Sequence, residues 1–474
     1  DIRLQSTAGE KVITESRQRI SWKIRLWDEN DEAGAWSENA FFEMGLLDKT
    51  DWKAKWINPE LQCDPGAHKP ASYLRRTFQC DAKSRNQKAR LYVTAHGLYE
   101  VWINGKRAGD FVLAPGSYNY DKRLAYQTYD VSGLLCEGKN EAEVILGDGW
   151  YRSVSGVDGD RNLYGEDIAL LFQLEIDGRA VCVSDESWEA SQNGAIRENE
   201  GEIVDARLSE VSEYHEVKTE KFSLDNLICS DCVPVCEMEH FKGKLIMTPN
   251  GETIIDFGQN LAGYVEFTLK AHEGDIIVLT HGETLDEHGN FTQENFQAPE
   301  HRVEQCVKYI CKEGWNEYKP EKSIFGFRYI KAITDVKVTE KNFTAIAVYS
   351  DMPQTGKFEC GHPGINQLFS NAVWSMKGNF LEIPTDCPTR ERTGFTGDAQ
   401  VFVNTGMYLM ECYPVYRKFL SELREVQLEG GCISQTAPAS QGHLFDGAAG
   451  WSDAIDLIPW RMYLRYNNPE ILAE

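Results

Sequence analysis

Near residue 350 the hydrophobic pattern of this 474-residue chain changes period. Before that point apolar residues alternate with polar ones in short runs such as Ala89-Arg90-Leu91-Tyr92-Val93-Thr94-Ala95 and Tyr264-Val265-Glu266-Phe267-Thr268-Leu269-Lys270. After it they recur every three or four residues, at Ile365, Leu368, Phe369, Ala372, Val373 and Met376. Alternation places side chains on opposite faces of a strand, whereas the wider spacing places them along one side of a helix. The expected fold is therefore multidomain, with β-sandwich or jelly-roll units first and antiparallel helices last. A chain of this length calls for roughly three or four such units.

Turn signals divide the β part. Residues 1–60 read as a partial fibronectin-like β domain, with one alternating strand from Arg19 to Trp27. Residues 68–238 read as a jelly roll, in which Asn104-Gly105 predicts a hairpin turn. Residues 239–350 read as a further β-sandwich. Its polar corner Asp256-Phe257-Gly258-Gln259-Asn260 suits a side-chain-stabilised turn, with ligand binding as the alternative. Trp150 and Tyr151 suit either a domain seam or a stacked sugar. In 351–474 the helices after Pro363 and around Val401–Met410, Tyr416–Leu423 and Asp453–Leu464 point to a helical toroid such as an (α/α) barrel. They are too few to close one.

Composition narrows the partners. A net charge of −25 argues against nucleic acid and anionic membrane surfaces, and no run of 18 apolar residues offers a bilayer span. The 13 cysteines are odd in number and scattered, which suits reduced thiols and favours the cytoplasm, with export left open. Cys229, Cys232, Cys236 and His240 lack the regular spacing of a zinc site and read as a linker. No metal or other cofactor is expected, with calcium in a sandwich unit left open.

Chemistry concentrates in Asp386-Cys387-Pro388-Thr389-Arg390-Glu391-Arg392-Thr393-Gly394-Phe395-Thr396-Gly397-Asp398. Pro388, Gly394 and Gly397 keep this stretch from being one regular helix or strand, and loops on a rigid scaffold commonly carry function. Asp386, Asp398 and Arg390 are suited to holding sugar hydroxyls. Glu391 is the candidate proton donor and should face an open cleft. Asp386 and Asp398 would raise its pKa and the arginines would lower it, so the sign stays open. Asp398 also suits the N-cap of a helix from Ala399 to Met410. Phe395 offers an apolar wall. Trp451, after a glycine-rich stretch, can reach a cleft, and Asp453 is a cap or a ligand.

This loop resembles the signature of the bacterial α-L-rhamnosidases of glycoside hydrolase family 78. Leu113-Ala114-Pro115-Gly116, Leu146-Gly147-Asp148-Gly149-Trp150-Tyr151, Asp256–Asn260, Gly326-Phe327-Arg328-Tyr329 and Gly450-Trp451-Ser452-Asp453-Ala454 agree with it in the family's order. The resemblance implies β domains followed by the first part of an (α/α)6 catalytic barrel, and inverting hydrolysis of terminal α-L-rhamnosides. It implies Glu391 as general acid, with Asp386, Arg390, Phe395, Asp398, Trp451 and, more weakly, Asp453 around the sugar. Phe395 stands where the family commonly has Trp. The implied partners are rhamnose-containing glycosides or polysaccharides, with a homodimer as an open expectation. The family's general base lies on a later barrel segment, so the sequence reads as the N-terminal part of a longer enzyme. The alternatives are an inactive truncated paralogue and a non-catalytic carbohydrate-binding protein.

Overall fold

The computed structural model describes residues 15–60, 70–80, 87–153, 161–192, 196–198, 201–208, 213–297, 304–320, 322–438 and 447–473. At the N-terminal end, Arg19–Trp22 pairs with Ala40–Glu43, and Arg25–Trp27 pairs with Ala33–Trp36. The single strand expected from Arg19 to Trp27 is thus two, broken at Lys23-Ile24, because each half has a different partner.

Two sheets follow around a shared core. One is centred on Ala169–Ile176, Ala89–His96 and Leu124–Asp130, and the other on Ser72–Cys80, Gly138–Gly147 and Leu98–Ile103. The Asn104-Gly105 hairpin forms as its chemistry predicts, with φ of +52° and +72° joining Ile103 to Lys106. Two strands tie this sandwich to its neighbours. Trp56–Asn58 joins its first sheet, and Gly201–Asp205 leaves it to run parallel to Cys306–Ile310.

A ten-stranded sheet comes next, built on the 19-residue strand Thr253–Ala271 between Phe325–Ile333 and Phe343–Ser350. Phe343–Ser350 is buried along its whole length, which suits a strand covered on both faces. Against it packs the helical part. The short α1 (Gly149–Arg152) belongs to the sandwich; α2 (Pro363–Gly378), α3 (Thr396–Leu409), α4 (Tyr413–Glu425), α5 (Ala454–Tyr466) and α6 (Glu470–Ala473) follow the sheet. Pro363 and Pro414 sit in the first turns of α2 and α4, where the missing N–H costs no helical bond. Asn467 closes α5 in the left-handed region. Met376, Phe380, Val403, Tyr416, Phe419, Leu420 and Ile458 form a separate helical core. No described helix is long and apolar enough to cross a membrane.

Candidate active site

The loop between α2 and α3 folds back on itself. The Asp386 and Thr393 backbones bond at 3.0 Å, and Thr393 N donates to Asp386 Oδ1 at 2.9 Å. Arg392 takes a positive φ of 52° to make the bend. Gly394–Phe395 then pairs with Thr436–Ala437, which pins the loop's exit beside the segment that follows α4. From below, the ten-stranded sheet supports it. Gly326 lies against Pro388 and Thr389, and Gln305 Nε2 donates to the Thr389 carbonyl.

Above the loop lies a cleft of about 520 Å³. Asp386, Asp398 and Trp451 line it, together with Gln400, Phe402 and Asn379. Gly397 is needed where the indole crosses α3, because a Cβ there would lie 2.8 Å from Trp451 Nε1. Gln400 Nε2 donates to the Gly450 carbonyl at 3.0 Å, tying the Trp451 turn to α3. Gln400 and Gly397 were missed as site residues; only the glycine, among bulky neighbours, offered a sequence signal.

The remaining predicted residues stand off the cleft lining. Glu391 sits behind Asp386 with 9% of its side chain accessible, bordering a smaller cavity shared with Trp150, Leu113 and Lys322. Arg390 Nε donates to Glu391 Oε1 at 2.6 Å, and the Cys387 thiol donates to Oε2 at 3.2 Å. Phe395 is half-buried in its ladder with Thr436. Asp398 is not the N-cap of α3. The helix begins at Thr396 with Phe395 as N-cap, so Asp398 lies in the first turn, where a carboxylate favours the helix dipole. Asp453 holds the N-cap position of α5, yet its Oδ2 accepts from Gly450 N at 2.8 Å and so stabilises the Trp451 turn.

Environment separates the two central carboxyls. Burial, with the hydrogen-bonded Glu391 adding to it, raises Asp386 to about 7. Burial also pushes Glu391 upward, but the Arg390 bond, joined by those from Asp386 and Cys387, outweighs it and holds Glu391 below its ordinary value. Asp398 is raised by burial, with the Glu391 charge contributing. Near neutral pH the pair can thus retain one proton on the cleft side. Asp386, Cys387 and Glu391 place ligand atoms within 4.8 Å of one another. A cation there would meet the Arg390 guanidinium already bonded to Glu391, so a proton suits the group better.

Comparison with known proteins agrees along the whole chain. Residues 7–48 match the Rha78A-like, N-terminal immunoglobulin domain, and 84–251 the alpha-L-rhamnosidase N-terminal domain. Residues 246–349 match the bacterial alpha-L-rhamnosidase concanavalin-like domain, and 353–474 the bacterial alpha-L-rhamnosidase 6 hairpin glycosidase domain. An alpha-L-rhamnosidase of Formosa agariphila is 34% identical over 97% of this chain and 52% of its own length. The crystal structure of an Aspergillus terreus rhamnosidase superposes with a TM-score of 0.91 at 32% identity, covering 97% of this chain and 55% of the other. A Streptomyces avermitilis alpha-L-rhamnosidase complexed with L-rhamnose does so with a TM-score of 0.86 at 25% identity, covering 97% of this chain and 62% of the other. The chain spans about half the length of the curated relatives it matches. Its domains, its sequence and its fold all converge, and the chain belongs to the bacterial α-L-rhamnosidases of glycoside hydrolase family 78.

Proposed function

We propose that this chain carries the sugar-binding and proton-donating part of an inverting α-L-rhamnosidase. The observation that carries the proposal is the Asp386–Glu391 pair, able to hold one proton near pH 7 at the wall of a cleft that Asp398 and Trp451 also line. The relatives' shared name and the neighbour bound to L-rhamnose support rhamnose as the sugar.

Asp386 and Asp398 accept hydroxyl protons of the ring, and Trp451 offers it an apolar face. Arg390 is 40% accessible and can turn from Glu391 to a substrate oxygen. Released from its counter-ion, Glu391 rises in pKa and takes up the proton it shares with Asp386. It then protonates the glycosidic oxygen as the anomeric carbon gains positive charge. Inversion also needs a base that activates water across the ring, roughly 6.5–9.5 Å from the acid; that role is assigned to no residue of this chain.

The proposal includes an (α/α)6 barrel as the setting of α2–α6. Leu368 on α2, Val401 and Tyr408 on α3 and Leu464 on α5 are exposed apolar side chains that further barrel helices would cover. It also divides the chain at 1–60, 68–238, 239–350 and 351–474, with Trp56–Asn58 and Gly201–Asp205 as ties between neighbouring parts.

The test is proton NMR of 4-nitrophenyl α-L-rhamnoside during hydrolysis by the full-length protein. β-Rhamnose appears first if the proposal holds. Initial α-rhamnose, or binding without release, contradicts it.

A further inference from the structure

Between the two carboxyls of the proton-sharing pair stands a thiol. Cys387 Sγ lies 3.2 Å from Glu391 Oε2 and 3.5 Å from Asp386 Oδ2. The other oxygen of each acid is already held. Arg390 Nε donates to Glu391 Oε1 at 2.6 Å, and Thr393 N donates to Asp386 Oδ1 at 2.9 Å. The sulfur therefore faces, on each acid, the oxygen that neither of those donors occupies.

The loop fixes that sulfur. Pro388 follows Cys387, and a proline confines the residue before it to extended backbone. The same proline rests against the ten-stranded sheet, where a Cβ on Gly326 would lie 2.8 Å from Pro388 Cγ. Arg390 N donates to Cys387 Sγ at 3.3 Å, which engages the sulfur as an acceptor and leaves its hydrogen for the acids. Burial raises the thiol above its ordinary pKa, with the Asp386 charge adding to it, so Cys387 keeps its proton at neutral pH.

One S–H serves one acceptor at a time. While Asp386 holds the shared proton, Glu391 is the ionised member and receives the S–H bond. Once the proton passes to Glu391, Asp386 is the ionised member, and rotation about the Cβ–Sγ bond turns the hydrogen toward it without moving a heavy atom. A thiol is a weak donor, so it supports either carboxylate without trapping the proton on the other. A fixed cation in the same place would favour both acids ionised and leave no proton to give. The balance is closed. The proton goes from Asp386 to Glu391 and then to the glycosidic oxygen, which keeps the electron pair of the broken C–O bond, and Cys387 ends with the hydrogen it began with.

We propose that Cys387 is a positioning residue for the general acid: its thiol donates to whichever of Asp386 and Glu391 is ionised, and so holds the two carboxyls in place while their proton changes sides. The proposal rests on the rhamnosidase reading, because it needs Glu391 to act as the acid. In the full-length protein, Cys387→Ala removes the donor and Cys387→Ser keeps a rotating one. Both are compared with the parent on an alkyl α-L-rhamnoside and on 4-nitrophenyl α-L-rhamnoside. Cys387→Ala is expected to lose about tenfold in kcat on the alkyl substrate, a part of the roughly 10²–10⁴-fold that general acid catalysis supplies. Its KM, and its rate on the nitrophenyl substrate, stay within about twofold of the parent, and Cys387→Ser returns the alkyl rate to within about threefold. Parent-like turnover by Cys387→Ala, a Cys387→Ser that falls as far as Cys387→Ala, or equal losses on both substrates overturns the proposal. If Cys387→Ala does not fold, the infrared S–H stretch decides, read from the parent spectrum minus that of Cys387→Ser. A band at lower frequency than that of ethanethiol in hexane is expected; a band at that frequency, or none, overturns the proposal. Failure of the rhamnosidase reading looks different, since the parent then hydrolyses neither substrate.

Discussion

Asp386 and Glu391 carry the same functional group, five residues apart, and their surroundings drive them in opposite directions. Burial and the hydrogen-bonded Glu391 raise Asp386, whereas Glu391 is bonded by Arg390 and the Cys387 thiol. The sequence showed that acids and arginines would meet, but spacing alone does not say which arginine touches which acid. Arg390 lies on Glu391 and lowers its pKa, while Arg392 takes a positive φ and its Nη2 donates to the Thr389 carbonyl at 3.5 Å. Removing the guanidinium removes the main restraint on the pKa of Glu391. In Arg390→Ala the basic limb of the kcat/KM profile, expected near pH 7 in the parent, moves upward while the maximum falls. A limb that stays in place, or moves down, contradicts the assignment.

At the scale of elements, the loop depends on a sheet far from it in sequence. A Cβ on Gly326 would lie 2.5 Å from Thr389 Cγ2 and 2.8 Å from Pro388 Cγ. Gly326→Ala must therefore push the loop toward the cleft. Misplacing a catalytic group by about 1 Å can cost on the order of a hundredfold in rate, and overpacking typically costs about 1–3 kcal/mol. We expect kcat/KM to fall at least tenfold with a stability loss in that range, measured by steady-state kinetics and urea unfolding. A fall in stability with unchanged kinetics would mean that the sheet does not position the loop. Apolar spacing made α2, α3, α4 and α5 legible, and Asn-Gly made the hairpin legible. The start of α3 was not, because Thr396 and Gly397 read as loop residues. Gly397 is tolerated in the first turn because the Trp451 indole occupies the space of its missing side chain. No local rule reveals a contact across more than fifty positions.

Across the whole molecule, the sandwich and the helices meet at a buried charged seam that the sequence did not announce. Arg123 reaches Glu422 at 2.8 Å and Glu425 at 2.6 Å on α4, and Asp231 at 2.7 Å on the sandwich side. Lys418 bridges Glu422 at 3.0 Å and the Ser117 carbonyl at 2.6 Å. Glu382 is fully buried, and a Cβ on Gly116 would collide with its carboxyl group. Burial raises Glu382 to about 8, opposed by Lys418 and assisted by Asp231 and Glu422. Its proton is bound more tightly in the folded chain than in the unfolded one. That contribution to stability is complete below its unfolded pKa, about 4.3, and is lost as pH rises toward 8. Glu425, raised to about 7 by burial and the Glu422 charge, acts with the same sign. Glu382→Gln keeps the neutral form at every pH. Urea denaturation should show that the variant loses less stability than the parent between pH 5 and 8; parallel curves would contradict a protonated Glu382.

The claim on which the functional account turns is that Glu391 delivers the proton to the leaving oxygen. General acid catalysis typically contributes about 10²–10⁴-fold, and a leaving group that is already a good anion needs little of it. The direct measurement is kcat of full-length Glu391→Gln on an alkyl α-L-rhamnoside and on 4-nitrophenyl α-L-rhamnoside. The account predicts a loss of about a hundredfold or more on the alkyl substrate and a much smaller one on the nitrophenyl substrate. Parent-like turnover of the alkyl rhamnoside would contradict it.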